Sequence, residues 1–393
     1  MRRTAAWLVF VVAAPHAMAC TKNQLIDVAM SGARHATPHR EMRVGERLVL
    51  AGDMHCHVQP PDSPAHVSRE LAETFERAKD EGLDFVVLTP HVPMRFFMDD
   101  DLRAWVLETQ QQLRAGIAQI HPDLIVVPGF EYTDYRYGHV GASFADPTEV
   151  LAGLSAAETQ EHPERFFERW AAHGGLLTIN HPVNRPLKDT PFAELRADMS
   201  WRAFAGRPTP PEVTWVTTHA QAIETFNTSV THLRDQFLVG EEDRSLREAA
   251  HLLDHASRVQ NRRIAAVGGS DSHGHWLRAT TFVLANERSP AGLRAGILAG
   301  RTCVRGPEAC SLQVRPDAAW SGVGDAITTD APTIEARASG GDVTYVVNGV
   351  IAGQSASGIV VSLPVPAGRC AIVRAVVGRS WSSGAYVNCP LAL

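Results

Sequence analysis

The chain has 393 residues, 45% of them apolar and 20% charged. That composition excludes a disordered polymer, and the length exceeds one ordinary compact core, so about two domains are expected. A net charge of −6 gives no electrostatic ground for nucleic acid or an anionic membrane as a partner.

Residues 1–19 carry the three parts of a secretory signal peptide: Arg2-Arg3, an apolar run from Ala5 to Ala14, and the small-residue ending Ala17-Met18-Ala19. An exported chain is the expectation, whether periplasmic, held at the outer membrane as a lipoprotein, or secreted. Cys20 follows directly, where a bacterial lipoprotein carries its lipid anchor, although Ala17 stands in the place usually held by leucine. Residues 20–45 are mixed and polar and form a lead-in segment. No later stretch is apolar for long enough to span a bilayer.

Leu48-Val49-Leu50-Ala51-Gly52 predicts a strand, and it runs into Asp53-Met54-His55-Cys56-His57. Alternate side chains of a strand share a face, so His55 and His57 point together while Cys56 points back into the core. Two imidazoles at a strand's end can grip one metal ion. Leu71, Phe75 and Ala78 recur at helical spacing over Val67 to Glu81, and Gly82 ends that helix. Leu83 to Leu88 is the next strand, leading into Thr89-Pro90-His91, and a helix follows from about Asp100 to Gln119. Leu124 to Val127 leads into Pro128-Gly129-Phe130-Glu131. His139 to Phe144 continues the pattern, and a helix near Pro163 to Ala172 precedes Gly175 to Ile179 and Asn180-His181-Pro182.

Val183 to Pro211 is Pro-rich and irregular and predicts an insertion over the site. Then come a strand at Ala222 to Asn227, a helix at Ser245 to Val259, and a strand at Arg263 to Val267. That last strand opens into Gly268-Gly269-Ser270-Asp271-Ser272-His273. Repeated strand–helix alternation predicts an α/β unit over residues 46–304, with a parallel sheet closed into a barrel. Beyond it, short strands between Gly and Pro turns predict a small antiparallel β-sandwich over residues 305–393. Cys303, Cys310, Cys370 and Cys389 suit two disulfides in an exported region, and nearness in sequence selects Cys303–Cys310 and Cys370–Cys389.

His55, His57, Asp62, His91, Glu131, His139, His181, Asp271 and His273 all follow strands, where the loops of an α/β barrel open on one face. Any one alone would be a cap, a surface group or a hydrogen-bonded core histidine; in corresponding positions they predict a shared site. The mixed histidine and carboxylate set suits Zn, Mn or Fe. Gly268-Gly269-Ser270 lacks the Gly-x-Ser-x-Gly form of a nucleophile elbow, and Ser272 fails the same test. Arg95, Arg185 and Arg278 lie just beyond His91, His181 and His273 and are candidates to hold a substrate phosphate or carboxylate. Glu224 and Asn227 sit at a strand end. His66 falls outside the motifs and is expected at the surface.

As an ordered set, His55-Cys56-His57, Asp62, Thr89-Pro90-His91, Gly129-Phe130-Glu131, Asn180-His181-Pro182 and Ser270-Asp271-Ser272-His273 resemble the PHP (polymerase and histidinol phosphatase) superfamily. Gly138-His139, the Asn-His-Pro step and the tail are most similar to its CehA/McbA-type branch. Proline at position 90 departs from the family's usual aspartate. The resemblance implies a distorted (βα)7 barrel holding two or three divalent ions. It places His55, His57, Glu131 and Asp271 on one ion and His91, His139 and Glu131 on a second, while Asp62, His181 and His273 serve a third or complete the other two; Glu224 and Asn227 resemble the family's Glu-x-x-Asn step, which implies a place behind the ligands. The activity implied is hydrolysis of a small-molecule ester by a metal-bridging hydroxide, with Glu131, Asp271 and His273 at its centre. Phosphoesters come first and carboxyl or carbamate esters second. A metal- or carbohydrate-binding surface protein without catalysis is the competing class, and the complete set of ligand-type residues argues against it.

Overall fold

A computed structural model describes residues 41–119, 123–190, 196–235, 237–278 and 280–391. The expected leader, Cys20 and most of the lead-in lie outside the described residues. A short strand at Met42–Val44 lies antiparallel on the start of the first long strand, β1, Arg47–Cys56. From Val49 onward β1 is buried on both faces, as its unbroken apolar run requires. Leu50 and Met54 join the barrel interior, while Val49 and Ala51 pack outward. The ladder between β1 and its neighbour slips between Asp53 and Cys56. Such a slip exchanges the faces of a strand, and past it Cys56 packs with Ala78 and Val86 behind the sheet.

The other strands of the large sheet are β2 (Phe85–Leu88), β3 (His91–Pro93), β4 (Ile125–Asp134), β5 (Gly138–Ser143), β6 (Leu176–Ile179), β7 (Ala222–Asn227), β8 (Ala265–Gly269) and β9 (Thr281–Ala285). β1 pairs in parallel with β2, β2 and β3 with β4, β6 with β7, and β7 with β8. β9 lies antiparallel on the far side of β1. The sheet curls until the end of β8 meets β1: Asp271 N donates to His55 O at 2.6 Å and His57 N donates to Ser272 O at 3.1 Å.

The expected repeat of parallel strand–helix units is broken in the middle. β4 turns straight back into β5 with no helix between the two, and β5 is antiparallel to both β4 and β6. Gly138 allows that turn, with φ +112°, a region costly for any side chain. Gly129 allows the two strands their contact, since a Cβ there would lie 2.5 Å from Ala142 O.

The outer face carries α1 (Leu71–Asp80), α2 (Asp100–Ile117), α3 (Glu164–Ala172), α4 (Pro211–His219), α5 (Thr228–Asp235), α6 (Glu241–Val259) and α7 (Pro290–Leu298). Asp99 caps α2 by accepting from the backbone of Asp101 and Leu102, both at 3.0 Å. α3 buries Phe166, Phe167 and Trp170 against Phe96, Phe97 and Phe130. No helix among the described residues is long and apolar enough to cross a membrane.

The tail contains β10 (Thr302–Val304), β11 (Gln313–Arg315), β12 (Thr333–Arg337), β13 (Val343–Val347), β14 (Val350–Ser355), β15 (Val361–Pro364), β16 (Ala371–Val377), β17 (Ser380–Ser382) and β18 (Ala385–Val387). β11, β12 and β15, with a short strand at Ser321–Gly322, form a separate antiparallel sheet. The strands facing it do not stand apart: β17 pairs with β10, and β10 with β9, so their ladder is continuous with the barrel sheet. The apolar core between the two tail sheets also takes Val49 and Ala51 from β1 and Phe282 and Leu284 from β9. Arg374 of β16 donates through Nε to Asp254 of α6 at 2.7 Å, and both side chains are buried.

Cys303 is bonded to Cys310 and Cys370 to Cys389, the pairs that sequence proximity selects, and Cys56 is a buried free thiol. Peptide mapping of the unfolded, unreduced chain is expected to find these two pairs with Cys56 alkylated. The Cys370–Cys389 bridge closes a span of 19 residues, for which chain entropy predicts a loss of about 3 kcal/mol when both cysteines are changed to serine. Urea denaturation measures that loss.

Candidate metal centre

The strand ends deliver their polar residues to one pocket. His55 and His57 come from the end of β1, His91 from the start of β3, and Glu131 from within β4. His139 comes from β5, His181 from the loop after β6, and Asp271 and His273 from the loop after β8. All but His91 and His273 are buried; those two are 26% and 30% exposed in their side chains and form the pocket's open edge. His181 and Asp271 have positive φ, +27° and +50°. Non-glycine residues held in this region concentrate at sites the surrounding structure over-determines.

Glu131 stands at the centre. Its Oε1 lies 3.2 Å from His55 Nε2, 3.2 Å from His139 Nδ1 and 3.5 Å from His181 Nε2, and accepts from Asn180 Nδ2 at 2.9 Å. Its Oε2 faces His91 Nε2 at 3.8 Å and His57 Nε2 at 4.0 Å. Asp271 Oδ1 lies 3.1 Å from His57 Nε2 and 3.6 Å from His55 Nε2. His273 Nε2 faces His91 Nε2 at 3.5 Å.

Asp62 reaches the pocket, but behind two of the histidines. Its Oδ2 lies 3.1 Å from His57 Nδ1, and its Oδ1 is 2.9 Å from His91 Nδ1 and accepts from His91 N at 2.9 Å. A carboxylate accepting from Nδ1–H fixes the tautomer in which Nε2 keeps its lone pair. Glu224 does the same for His55 Nδ1 at 3.2 Å and accepts from His181 N at 2.7 Å. Asn227 links Glu224 to Asp271, donating to both at 3.1 Å. The expected place of Glu224 and Asn227 behind the cluster agrees with these contacts.

Three groups of ligand-type atoms each lie within 4.8 Å of one another: His55, His57 and Asp271; Glu131, His139 and His181; His57, His91 and His273. Buried nitrogens on His55, His139 and His181 have no hydrogen-bond partner. Lone pairs and carboxylates facing one another across buried space are what a divalent cation satisfies, and the donor set fits one. These groupings differ from the allocation implied by family resemblance. His181 sits with Glu131 and His139, His91 sits with His273, and Asp62 belongs to none of the three.

The charges agree with this geometry. Burial opposes ionisation of Asp271 and Glu131, but the surrounding histidines, His55 for the first and His139 and His55 for the second, hold both carboxyls below their ordinary values. Burial would lower His57, yet its bonds to Asp271 and Asp62 raise it to about 9. Burial would lower His55 and His181 as well, but Asp271, Glu224 and Glu131 raise both, whereas burial and facing His57 bring His273 down to about 3.

A raised folded value adds stability that is complete below the unfolded value and is lost as pH climbs through the folded one. The metal-free chain is therefore expected to lose several degrees of melting temperature between pH 6.5 and 9, as His57 gives up its proton. Divalent ions should remove that slope, because they bind only the deprotonated nitrogen. Differential scanning calorimetry with and without a chelator measures both.

Arg69 is a residue that sequence analysis missed. It is fully buried behind the pocket, donating to Thr74 Oγ1 at 2.9 Å, Ser272 Oγ at 2.9 Å, Trp276 O at 2.8 Å, His57 O at 2.9 Å and also to Gly274 O. It thus ties the end of β1 to the loop that carries His273. His66 is exposed as expected, yet its ring lies 6.4 Å from that of His91. The candidate substrate arginines are engaged elsewhere. Arg95 donates to Glu212 at 3.0 Å, Arg185 pairs with Glu248, and Arg278 stacks 5.6 Å from the Trp276 ring.

No protein-family model and no curated protein matches the chain. Solved structures do. One is a two-domain protein containing a predicted PHP-like metal-dependent phosphoesterase from Bacteroides vulgatus, 16% identical over 90% of this chain and 98% of that one, with a TM-score of 0.43. Another is the lesion-specific endonuclease PfuEndoQ from Pyrococcus furiosus, 13% identical over 64% of this chain and 56% of that one, at 0.35. A third is a putative metal-dependent phosphoesterase from Bifidobacterium adolescentis, 13% identical over 57% and 87%, at 0.28. All three scores are below 0.5, so the function proposed next rests on the chain's own residues.

Proposed function

We propose that the chain is an exported metal-dependent hydrolase of small-molecule esters, phosphoesters first, of the PHP superfamily and its CehA/McbA-type branch. One observation carries this: ligand-type atoms from separate strand ends converge in a single buried pocket as three groups, each within 4.8 Å. Two or three ions of Zn, Mn or Fe would be held by His55, His57 and Asp271, by Glu131, His139 and His181, and by His57, His91 and His273. Such ions supply Lewis-acid polarisation of the ester and make water acidic enough to attack at neutral pH.

The residues supply the rest. Asp62 and Glu224 fix the tautomers of His57, His91 and His55, so that each Nε2 presents its lone pair. Glu131 places one carboxylate against His55, His57, His91, His139 and His181 and would offset the repulsion between neighbouring cations. Asp271 anchors the loop after β8 beside His57. His91 and His273, at the exposed edge, mark the side from which the ester enters. The two disulfides support export, since such bonds persist in oxidising compartments. Within this proposal the catalytic unit comprises residues 46–304 and the sandwich residues 305–393, with Cys20 the place for a lipid anchor.

The test is metal analysis of the purified chain, followed by rates on phosphomonoester, phosphodiester, carboxyl-ester, carbamate and abasic-duplex substrates. Metal-dependent turnover of a small phosphoester is the expected result. Metal binding without turnover of any substrate would refute the proposal.

A further inference from the structure

The last turn of α5 buries a cation for which the surrounding side chains provide no counter-charge in contact. Arg234 is 1% exposed, and burial brings its guanidinium down to about 10. Nε donates to Arg185 O at 3.1 Å and Nη1 to Val230 O at 3.2 Å, while Nη2 has no hydrogen-bond partner. No carboxylate among the described residues pairs with it. Glu241 and Asp198 lie within its field, but Glu241 is taken up by Arg244 and Ser245, and Asp198 by Arg202. Two carbonyls relieve part of the desolvation, yet a buried charge is held at low cost only with an opposite charge beside it.

The two bonds fix where the guanidinium lies. Val230 is one turn back along α5, and Arg185 belongs to the loop after β6, so the group spans the seam between that helix and that loop. Asn184, the residue before Arg185, is 0% exposed, and neither its Nδ2 nor its Oδ1 has a partner. Its backbone N donates to Ser200 Oγ at 2.9 Å, which holds the loop in place. A guanidinium offers donors only, and an amide can add its NH2 to them. Buried polar side chains without partners on adjoining segments are what a bound ion satisfies.

We infer that Arg234 Nη2 and Asn184 Nδ2 form a binding site for a small inorganic monoanion of the size of chloride. Side chains so fully enclosed admit an ion of one or a few atoms and no organic group. The ion ties α5 to the loop that carries His181. The inference goes beyond the ester-hydrolase proposal and does not depend on it.

Chloride and bromide are the probes, with sodium gluconate, too large to enter, keeping ionic strength constant. The melting temperature of the full chain is followed by calorimetry as chloride replaces gluconate. The natural chain is expected to gain about 2–4 °C at saturation. Asn184→Asp sets a carboxylate beside the guanidinium at nearly unchanged volume. That chain should melt in gluconate at least as high as the natural chain does in chloride, and should not respond to chloride. Arg234→Met should lose the response as well; Asn184→Asp decides the matter where Arg234→Met does not fold. Bromide-soaked crystals of the natural chain should show an anomalous peak between Arg234 Nη2 and Asn184 Nδ2. A natural chain indifferent to chloride, a crystal without that peak, or a chloride response that persists in Asn184→Asp each overturns the inference.

Discussion

Glu131→Gln is expected to lose bound metal and turnover together. The substitution keeps the shape of the side chain and removes its charge, at the one group that faces histidines from β1, β3, β5 and the loop after β6. Without that charge the lone pairs around it have no counterpart to hold cations close together. Removing a partner behind a metal ligand typically costs about 10- to 100-fold, and loss of this central carboxylate should exceed that range. Ser270→Ala and Ser272→Ala are the controls. Ser270 Oγ donates to His55 O at 3.3 Å and Ser272 Oγ to Trp276 O at 2.5 Å, so both hydroxyls serve the scaffold. Each variant should keep substantial activity. Elemental analysis and steady-state rates on all three decide the matter: full activity in Glu131→Gln, or none in metal-loaded Ser272→Ala, contradicts the chemistry proposed.

The second large effect belongs to Arg69. Arg69→Ala takes the guanidinium donor from the buried carbonyls of His57 and Gly274, while Trp276 O keeps the Ser272 hydroxyl. Unsatisfied buried acceptors cost about 1–3 kcal/mol each, so a loss of at least about 2 kcal/mol is expected in urea denaturation. Arg69→Lys should recover less than half, because an ammonium cannot reproduce the planar fork that spans two segments. The loop held by Arg69 carries His273, so both variants should also bind fewer manganese ions per chain than the natural protein. An Arg69→Ala chain with unchanged denaturation and metal content would show that this clamp is dispensable.

Much of this site was legible in the sequence because its grammar is local. His55 and His57 share a strand face, and His181, Asp271 and His273 follow apolar runs, so position along the chain already implied position in space. Glu131 was legible as a ligand type but not as a strand residue. Pro128-Gly129 looks like the end of a strand, whereas β4 runs on to Asp134 because the close approach of β5 needs that glycine. Arg95 and Arg185 show the opposite failure. They lie beside motif histidines in sequence, yet their partners Glu212 and Glu248 lie on α4 and α6, and no local pattern reveals such pairings. Arg69 left no signal at all. A single arginine before a helix becomes informative only when folding sets it against His57.

The apolar cluster that β1 and β9 share with the tail has a consequence for how such a chain can change over generations. Val49 and Ala51 lie on the very strand that ends in His55 and His57, and they are packed against the tail's own side chains. A new tail spliced on near residue 304 would therefore meet a strand shaped for a different neighbour, and the geometry of the histidines would shift with it. Substitutions along the outer face of β1 and along the tail's inner sheets should be inherited in matched sets, as though the two halves were one gene segment. The ancestry of the metal pocket is written partly in residues that never come near it.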